Sequence, residues 1–318
     1  MHKNWKNIIL PEYEVRKTRA QKSAFIDMLR EHYGDRMTVE EEKGGLKSRN
    51  IVIGDPEQAK VVFTAHYDTC ARMPFPNFIT PCNFAVYLLY QLILTVVLLA
   101  PPMLLSVLAA VLCRPLPEFA GLLATETALL LGLGAELWLM MAGPANRHTA
   151  NDNTSGTVTV LTLADRLCDN PDAAFILFDH EEMGLLGSAA YAKKHPNVKK
   201  NGFVVNFDCV SDGDNLLAVF TKTAENNGIF GYVRTHAEEV MSEYGKTPVI
   251  VSSKKAFYPS DQAAFKNTIA VAALKKAPVI GLYMDKIHTP KDTEFDESNI
   301  EALVKLWENA VKEKETDM

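Results

Sequence analysis

The sequence predicts an α/β fold, a three-layer sandwich around a mostly parallel mixed sheet, interrupted by a two-helix transmembrane hairpin. Three observations predict it. Short apolar runs such as KVVFTA (60–65), AAFILF (173–178) and FVVNF (203–207) have the composition of strands buried on both faces. Stretches of helical period alternate with them, the order that lays helices on the faces of a parallel sheet. From Phe84 to Leu112 the chain carries no charge at all, over more than the ~20 residues that a membrane-spanning helix needs.

The elements follow in order. Leu10 to Arg30 reads as one amphipathic helix, with Ala20, Ala24, Phe25, Met28 and Leu29 on one face and Gly34 as its stop. Met37 to Glu41 and Asn50 to Ile53 flank Gly44-Gly45 and read as a hairpin. Lys60 to Ala65 is the first buried strand. Beyond the apolar region, Ser155 to Arg166 and Met183 to Lys194 read as helices, Ala173 to Phe178 and Phe203 to Phe207 as strands. Further strands fall at Leu216 to Phe220, Val249 to Ser252, Ile269 to Ala273 and Val279 to Tyr283. Ser298 to Lys312 closes as a helix, with Ile300, Leu303, Val304, Trp307 and Val311 on one face.

Phe84 to Leu112 and Phe119 to Ala142 are separated by the short polar break Arg114 to Glu118, so two spans return the chain to the side it left. A pair of buried core helices is the alternative, but soluble cores rarely need uncharged runs beyond ~18 residues. Pro101-Pro102 is expected to kink the first span or end it early. Glu126 and Glu136 in the second span are costly unless they face protein, water or a second copy, so an oligomer is compatible with them. The expected organisation is one discontinuous domain, residues 1–82 and 144–318, with 83–143 inserted as the hairpin. Lys60, Arg72 and Arg147 flank the spans on the catalytic side against Arg114 in the turn. That bias places an integral protein of the inner or plasma membrane with its catalytic domain in the cytoplasm. The first residues lack the apolar core and cleavage site of a signal peptide, which agrees.

The formal charge of -6 argues against nucleic acid as a partner, because phosphate binding needs clustered Lys and Arg. The 5 cysteines include no CxxC pair, so neither a disulfide framework nor a thiolate zinc site is expected.

Polar clusters stand at the ends of the apolar strands: His66 and Asp68 after VVFTA, Asp152 in ANDNTSG, Glu181 and Glu182 after FILFDH, Asp208 after FVVNF, and His288 in KIHTPKDT. Each alone has an ordinary reading, such as a helix cap for Asp152 or a solvated helix start for the glutamate pair. Together they bring imidazoles and carboxylates to the carboxyl edge of one sheet, where open α/β sheets form their sites.

In these stretches the sequence resembles the dinuclear-zinc aminopeptidases, whose relatives include aminopeptidase Y, glutamate carboxypeptidase and the bacterial leucyl aminopeptidase-like zinc exopeptidases. The matching stretches are HYD (66–68), NDNTSG (151–156), DHEEMGLLGS (179–188), NFD (206–208), SDQAAF (260–265) and HTPKDT (288–293). The resemblance implies a zinc-exopeptidase-like fold and two Zn2+ per chain. It assigns His66 and Asp208 to one ion, Glu182 and His288 to the other, and Asp152 to both. Glu181 is the implied general base, and Asp68 the partner that orients His66 through its free ring N–H. Adjacent residues leaving a strand point to opposite sides, which would let Glu182 meet metal while Glu181 meets water. A rival dizinc family with the same HxD start inserts a domain between its later ligands, and Asp208 and His288 stand too close for one of ~100 residues.

Gln262 stands where family members often have His, which leaves a support role there open. Tyr258, just upstream, is a candidate to bind substrate by donating to the oxyanion. The implied activity is hydrolysis of the N-terminal bond of short peptides, beside a bilayer occupied by residues 84–142. Alternatives are a carboxypeptidase or glutaminyl cyclase on the same scaffold, or a non-catalytic membrane receptor. A carboxypeptidase needs an Arg for its substrate, for which only Arg72 and Arg147 lie near a motif. Cobalt or manganese suits the same donors.

Overall fold

The computed structural model describes residues 3–41 and 47–316, so the expected Gly44-Gly45 turn lies outside the described residues. Two helices replace the single one expected from Leu10 to Arg30: α1 (Trp5–Glu12) and α2 (Arg19–Tyr33). Pro11 lies in the last turn of α1, and Thr18 restarts the chain with a capping box. Thr18 Oγ1 accepts from the Gln21 N–H at 3.3 Å, and the Gln21 side chain accepts from the Thr18 N–H at 2.9 Å.

The strands are β1 (Met37–Glu41), β2 (Arg49–Ile53), β3 (Val61–His66), β4 (Ala173–Phe178), β5 (Phe203–Phe207), β6 (Asn215–Phe220), β7 (Thr247–Ser252), β8 (Asn267–Ala277) and β9 (Gly281–Tyr283). They pair in the order β1-β2-β4-β3-β5-β8-β6-β7, with β9 against the end of β8. The central run β4-β3-β5-β8 is parallel throughout, and antiparallel pairs flank it. The sheet is therefore mixed and mostly parallel at its centre, as expected. β8 runs past Ala273 because Lys275–Ala277 folds back onto β9, which shortens the strand expected from Val279.

Every residue of β3, β4 and β5 is buried, so each strand must be covered on both faces. Val61, Phe63 and Ala65 of β3 join the cluster built with α1, α2, α5 (Gly156–Leu167), α8 (Gly228–Ser242) and α9 (Glu297–Thr316). Val62 joins the opposite cluster, under Tyr191 and Ala192 of α6 (Leu186–Lys194) and Val198 of α7 (Pro196–Asn201). That alternation makes the three layers. α6 begins at Leu186 rather than Met183, because Gly184 and Leu185 have positive φ (93° and 61°) and turn the chain before the helix. β3 is flanked by β4 and β5, which follow it on opposite sides, so a crevice opens outside the three carboxyl ends.

The apolar region forms α3 (Phe84–Leu112, 29 residues) and α4 (Glu118–Ala142, 25 residues), each longer than the ~30 Å hydrocarbon thickness at ~1.5 Å per residue. α3 runs through Pro101-Pro102 without ending. A Cβ on Gly132 would stand 2.8 Å from Pro102 Cβ, so the small residue lets the two helices touch. Pro102 is the one buried residue of α3, and α4 has none among the described residues. Core helices would be covered, whereas here Leu92, Val96, Leu104, Leu122, Leu131 and Trp138 are all exposed. Both helices are long and apolar enough to cross a membrane.

The α2 helix is fastened to the sheet by a buried ion pair between Lys22 and Asp179, whose side chains are 5% and 1% exposed. Removing one member strands the other charge. Lys22→Met is expected to lower stability by about 3–5 kcal/mol, and Lys22→Met/Asp179→Asn to recover part of it. Urea unfolding in detergent checks this; an equal loss in the single and double variants would contradict it.

Candidate metal centre

His66 ends β3. Its carbonyl accepts from Thr157 Oγ1 at 3.0 Å, and its Nδ1 lies 3.1 Å from the Asp68 carbonyl oxygen. A carbonyl can only accept, so the ring donates through Nδ1–H and turns the lone pair of Nε2 into the crevice. Asp68 thus orients the ring through its backbone, not through its carboxylate as expected. The carboxylate stands 3.6 Å from Nδ1 and accepts instead from the N–H groups of Glu181 (3.0 Å) and Glu182 (3.3 Å).

The glutamate pair follows β4 in a tight turn, not on an extended strand. His180 has φ 56°, a left-handed value that a non-glycine residue holds only where its surroundings enforce it. Here Asp179 accepts from the His180 N–H at 2.9 Å and the Arg49 N–H at 3.0 Å, while it also binds Lys22. The turn, rather than strand alternation, directs the two carboxylates.

Asp152 lies in the π-helical turn Ala150–Ser155, ahead of α5, and its peptide bond to Asn153 is cis. The carboxylate of Asp292 grips this turn, accepting from the N–H of Asn151 at 2.9 Å and of Asp152 at 3.0 Å. Asn153 Oδ1 accepts from the N–H of Gly156 (2.9 Å) and Cys209 (3.2 Å), which ties the turn to the end of β5. Gly156 is required there, since a Cβ would stand 2.2 Å from the Phe207 carbonyl oxygen. Arg16, in the break between α1 and α2, is wholly buried and donates to Thr154 Oγ1 at 3.1 Å and to the carbonyls of Tyr13 and Tyr67. Burial lowers its pKa to about 10, against the pull of Asp68 and Glu14, so it stays cationic beside the site.

These supports bring five of the expected residues together. Asp152 Oδ1 is 3.3 Å from His66 Nε2, and Asp152 Oδ2 is 3.1 Å from His288 Nε2. Asp208 Oδ1 is 3.6 Å from His66 Nε2, and Glu182 Oε2 is 3.3 Å from His288 Nε2. Donor atoms of His66, Asp152 and Asp208 lie within 4.8 Å of one another, as do those of His66, Glu181 and Glu182, and those of Cys70, Glu182 and His288. Tyr258 is not aimed into the crevice: its hydroxyl donates to the Asp208 carbonyl oxygen at 3.0 Å, as a buried phenol must find a partner. The oxyanion role expected for it is therefore withdrawn. Gln262 keeps a support role without an imidazole, accepting from Asn206 Nδ2 at 3.0 Å and donating to the Tyr258 carbonyl.

The electrostatics ask for cations. Burial, with Asp152 adding to it against the opposing His288, pushes Glu182 up to about 8. Burial likewise holds Glu181 well above the carboxylate range, despite His66. Burial alone would lower His288, yet Glu182 and Asp152 carry it to about 9. Asp152 runs the other way: burial opposes its charge, but the hydrogen bonds of His288 and His66 hold it below the usual range. Glu182 Oε1 is buried with no hydrogen-bond partner. Without a metal, protons on the two imidazoles supply the positive charge that these carboxylates call for, a place that bound dications would take. The nitrogen and oxygen donor set fits zinc.

A cavity of about 280 Å³ reaches this cluster, lined by Asp68, Glu182, Lys17, Lys22, His180 and, at its far end, Met141 and Ala142 of α4. Lys17 Nζ donates to the Met141 carbonyl at 2.7 Å. Arg147 lines a different cavity, with Glu12 and Glu14.

Asp292 stands in the HTPKDT stretch, but its hold on the Asp152 turn is a backbone matter that spacing does not show. Asp292→Ala is expected to weaken metal binding ~10–100-fold, the scale for an outer partner of a metal ligand. Chelator competition measures it; unchanged affinity would exclude the role.

No curated protein matches the chain. The fold is similar to the LapA aminopeptidase of Legionella pneumophila, at 15% identity and TM-score 0.52, over 97% of this chain and 67% of that one. It is similar to the glutaminyl cyclase of Porphyromonas gingivalis, at 14% identity and TM-score 0.55, over 98% and 97%. The glutaminyl cyclase of Fimbriiglobus ruber gives 13% identity and TM-score 0.53, over 97% and 93%. At such identities the likeness is one of fold. The sequence model of peptidase family M28 matches residues 137–311, from the last turns of α4 to the last turns of α9, and the chain belongs to that family.

Proposed function

We propose that the protein is a membrane-anchored dizinc aminopeptidase acting on short peptides. The observation that carries this reading is Asp152, whose two carboxylate oxygens face imidazoles from different parts of the sheet edge, His66 at 3.3 Å and His288 at 3.1 Å. His66 and Asp208 would hold one ion, Glu182 and His288 the other, with Asp152 shared. When bound, such a pair supplies Lewis acidity and lowers the pKa of water toward neutrality.

The chain's own residues supply the rest. Glu181 takes a proton from the attacking water on a carboxylate oxygen and returns it to the leaving nitrogen, a transfer worth typically 10²–10⁴-fold. Asp68 fixes the Glu181 carboxylate by holding its N–H. Residues 1–82 and 144–318 form one peptidase domain, and 83–143 an inserted hairpin that crosses the bilayer and leaves the domain on the cytoplasmic side. The cavity that ends at Met141 and Ala142 then opens beside the membrane surface.

An amino-terminal specificity suits the excess of negative charge. Asp68, Asp152, Glu181, Glu182, Asp208, Asp261 and Asp292 crowd around two histidines, which favours a substrate ammonium group and opposes a carboxylate. The cations of the adjoining cavity are already engaged, Lys22 with Asp179 and Lys17 with the Met141 carbonyl. Neither Arg72 nor Arg147 lines it.

Glu181→Gln is expected to keep its metal while kcat falls by about 10²–10⁴-fold on peptides with a free amine. Acetylating the substrate's amine is expected to stop turnover, and a chelator to abolish it until zinc is restored. Conversion of Gln-peptides to pyroglutamyl peptides with loss of ammonia and no hydrolysis would replace this reading with the cyclase; a metal-loaded protein inert to both substrates would leave the carboxypeptidase, and a chain that binds no metal the receptor.

A further inference from the structure

We propose that Cys70 is a third protein ligand, as the thiolate, to the metal ion held by Glu182 and His288. The inference rests on the dizinc reading above and adds a donor to it. The Cys70 sulfur, a Glu182 carboxylate oxygen and a His288 ring nitrogen lie within 4.8 Å of one another. Donors that stand about 2.0–2.3 Å from one shared ion lie at most about 4.6 Å apart, so small side-chain shifts would bring all three onto it.

The placement is built rather than incidental. Cys70 follows the loop that leaves β3, and the chain is tied down on both sides of it. The Arg16 N–H donates to Thr69 Oγ1 at 3.0 Å, the Cys70 carbonyl accepts from the Asn146 N–H at 3.1 Å, and Ala71 bridges Ala145. The residue is 2% exposed, so its sulfur is shielded from solvent. Glu182 commits Oε2 to His288 and leaves Oε1 buried with no partner, which marks the same point as short of a cation. The spacing of the cysteines in sequence hides this arrangement, because the other donors come from across the fold and not from a CxxC pair.

Two chemical consequences follow. The two positions become unequal. The His66–Asp208 side offers nitrogen and oxygen, which several dications accept, whereas a sulfur donor selects zinc over manganese or magnesium on the Glu182–His288 side. Binding releases the thiol proton to solvent.

The test uses the full chain in detergent, loaded with cobalt(II), with metal stoichiometry and absorption read on the same sample. A thiolate-to-cobalt charge-transfer band in the near ultraviolet is expected in the wild type and in Cys209→Ser, whose sulfur lies against Asp208 instead. In Cys70→Ser the band is lost, and one of the two sites binds zinc more weakly by upwards of about tenfold, the smallest loss seen for groups around zinc ligands. X-ray absorption on the zinc-loaded wild type needs no variant and should find sulfur at about 2.3 Å from zinc. Two bound ions with only nitrogen and oxygen neighbours, or a band that survives Cys70→Ser, overturns the thiolate and leaves the dizinc centre standing. A chain that takes up no metal overturns both.

Discussion

Asp152 offers one carboxylate oxygen to His66 and the other to His288, and much of the domain exists to hold that carboxylate still. Asp292 grips its N–H from below, Asn153 ties its turn to the end of β5, and Arg16 buttresses the same turn through Thr154. None of these contacts is strong alone. Together they keep charges out of water that would otherwise cost several kcal/mol each. The parallel strands make this possible, because β3, β4 and β5 deliver their loops to one edge while their own residues stay fully buried.

The strands were legible because burial on both faces leaves an unbroken apolar run, and the polar residue that ends each run is where the site begins. His66, Glu181, Glu182 and Asp208 could be picked out on that basis. The paired helices α3 and α4 were legible for a cruder reason, since an uncharged apolar run of that length has the composition of a membrane span. What the sequence concealed is contact made through the backbone. Asp68 holds His66 by a carbonyl and the glutamate turn by its carboxylate, and Asp292 acts on N–H groups 140 and 141 positions away. Such partners leave no spacing to read. Arg16 was hidden by the periodicity that ran α1 and α2 together, and Tyr258 was misjudged because a phenol's partner cannot be seen until the fold closes over it. α8 escaped notice although Ile229, Phe230, Val233, Ala237 and Val240 keep helical spacing, because Gly228 and Gly231 weaken its first turn.

The hairpin and the centre are linked by the cavity that runs from Glu182 to the last turn of α4. In the membrane-anchored reading, substrates approach along the bilayer surface, and Lys17 stands at the junction with its ammonium on the Met141 carbonyl. The last turn of α4 then does more than tether the domain, since Met141 and Ala142 line the approach to the site.

The central claim is that one carboxylate serves two metal ions. Metal bound per chain, counted by mass spectrometry after dialysis for the wild type and Asp152→Ala, tests it most directly. The account predicts two ions in the wild type, and a folded variant that has lost at least one of them together with its peptidase activity. A wild type that binds no metal, or an Asp152→Ala chain that holds two as tightly, would contradict it.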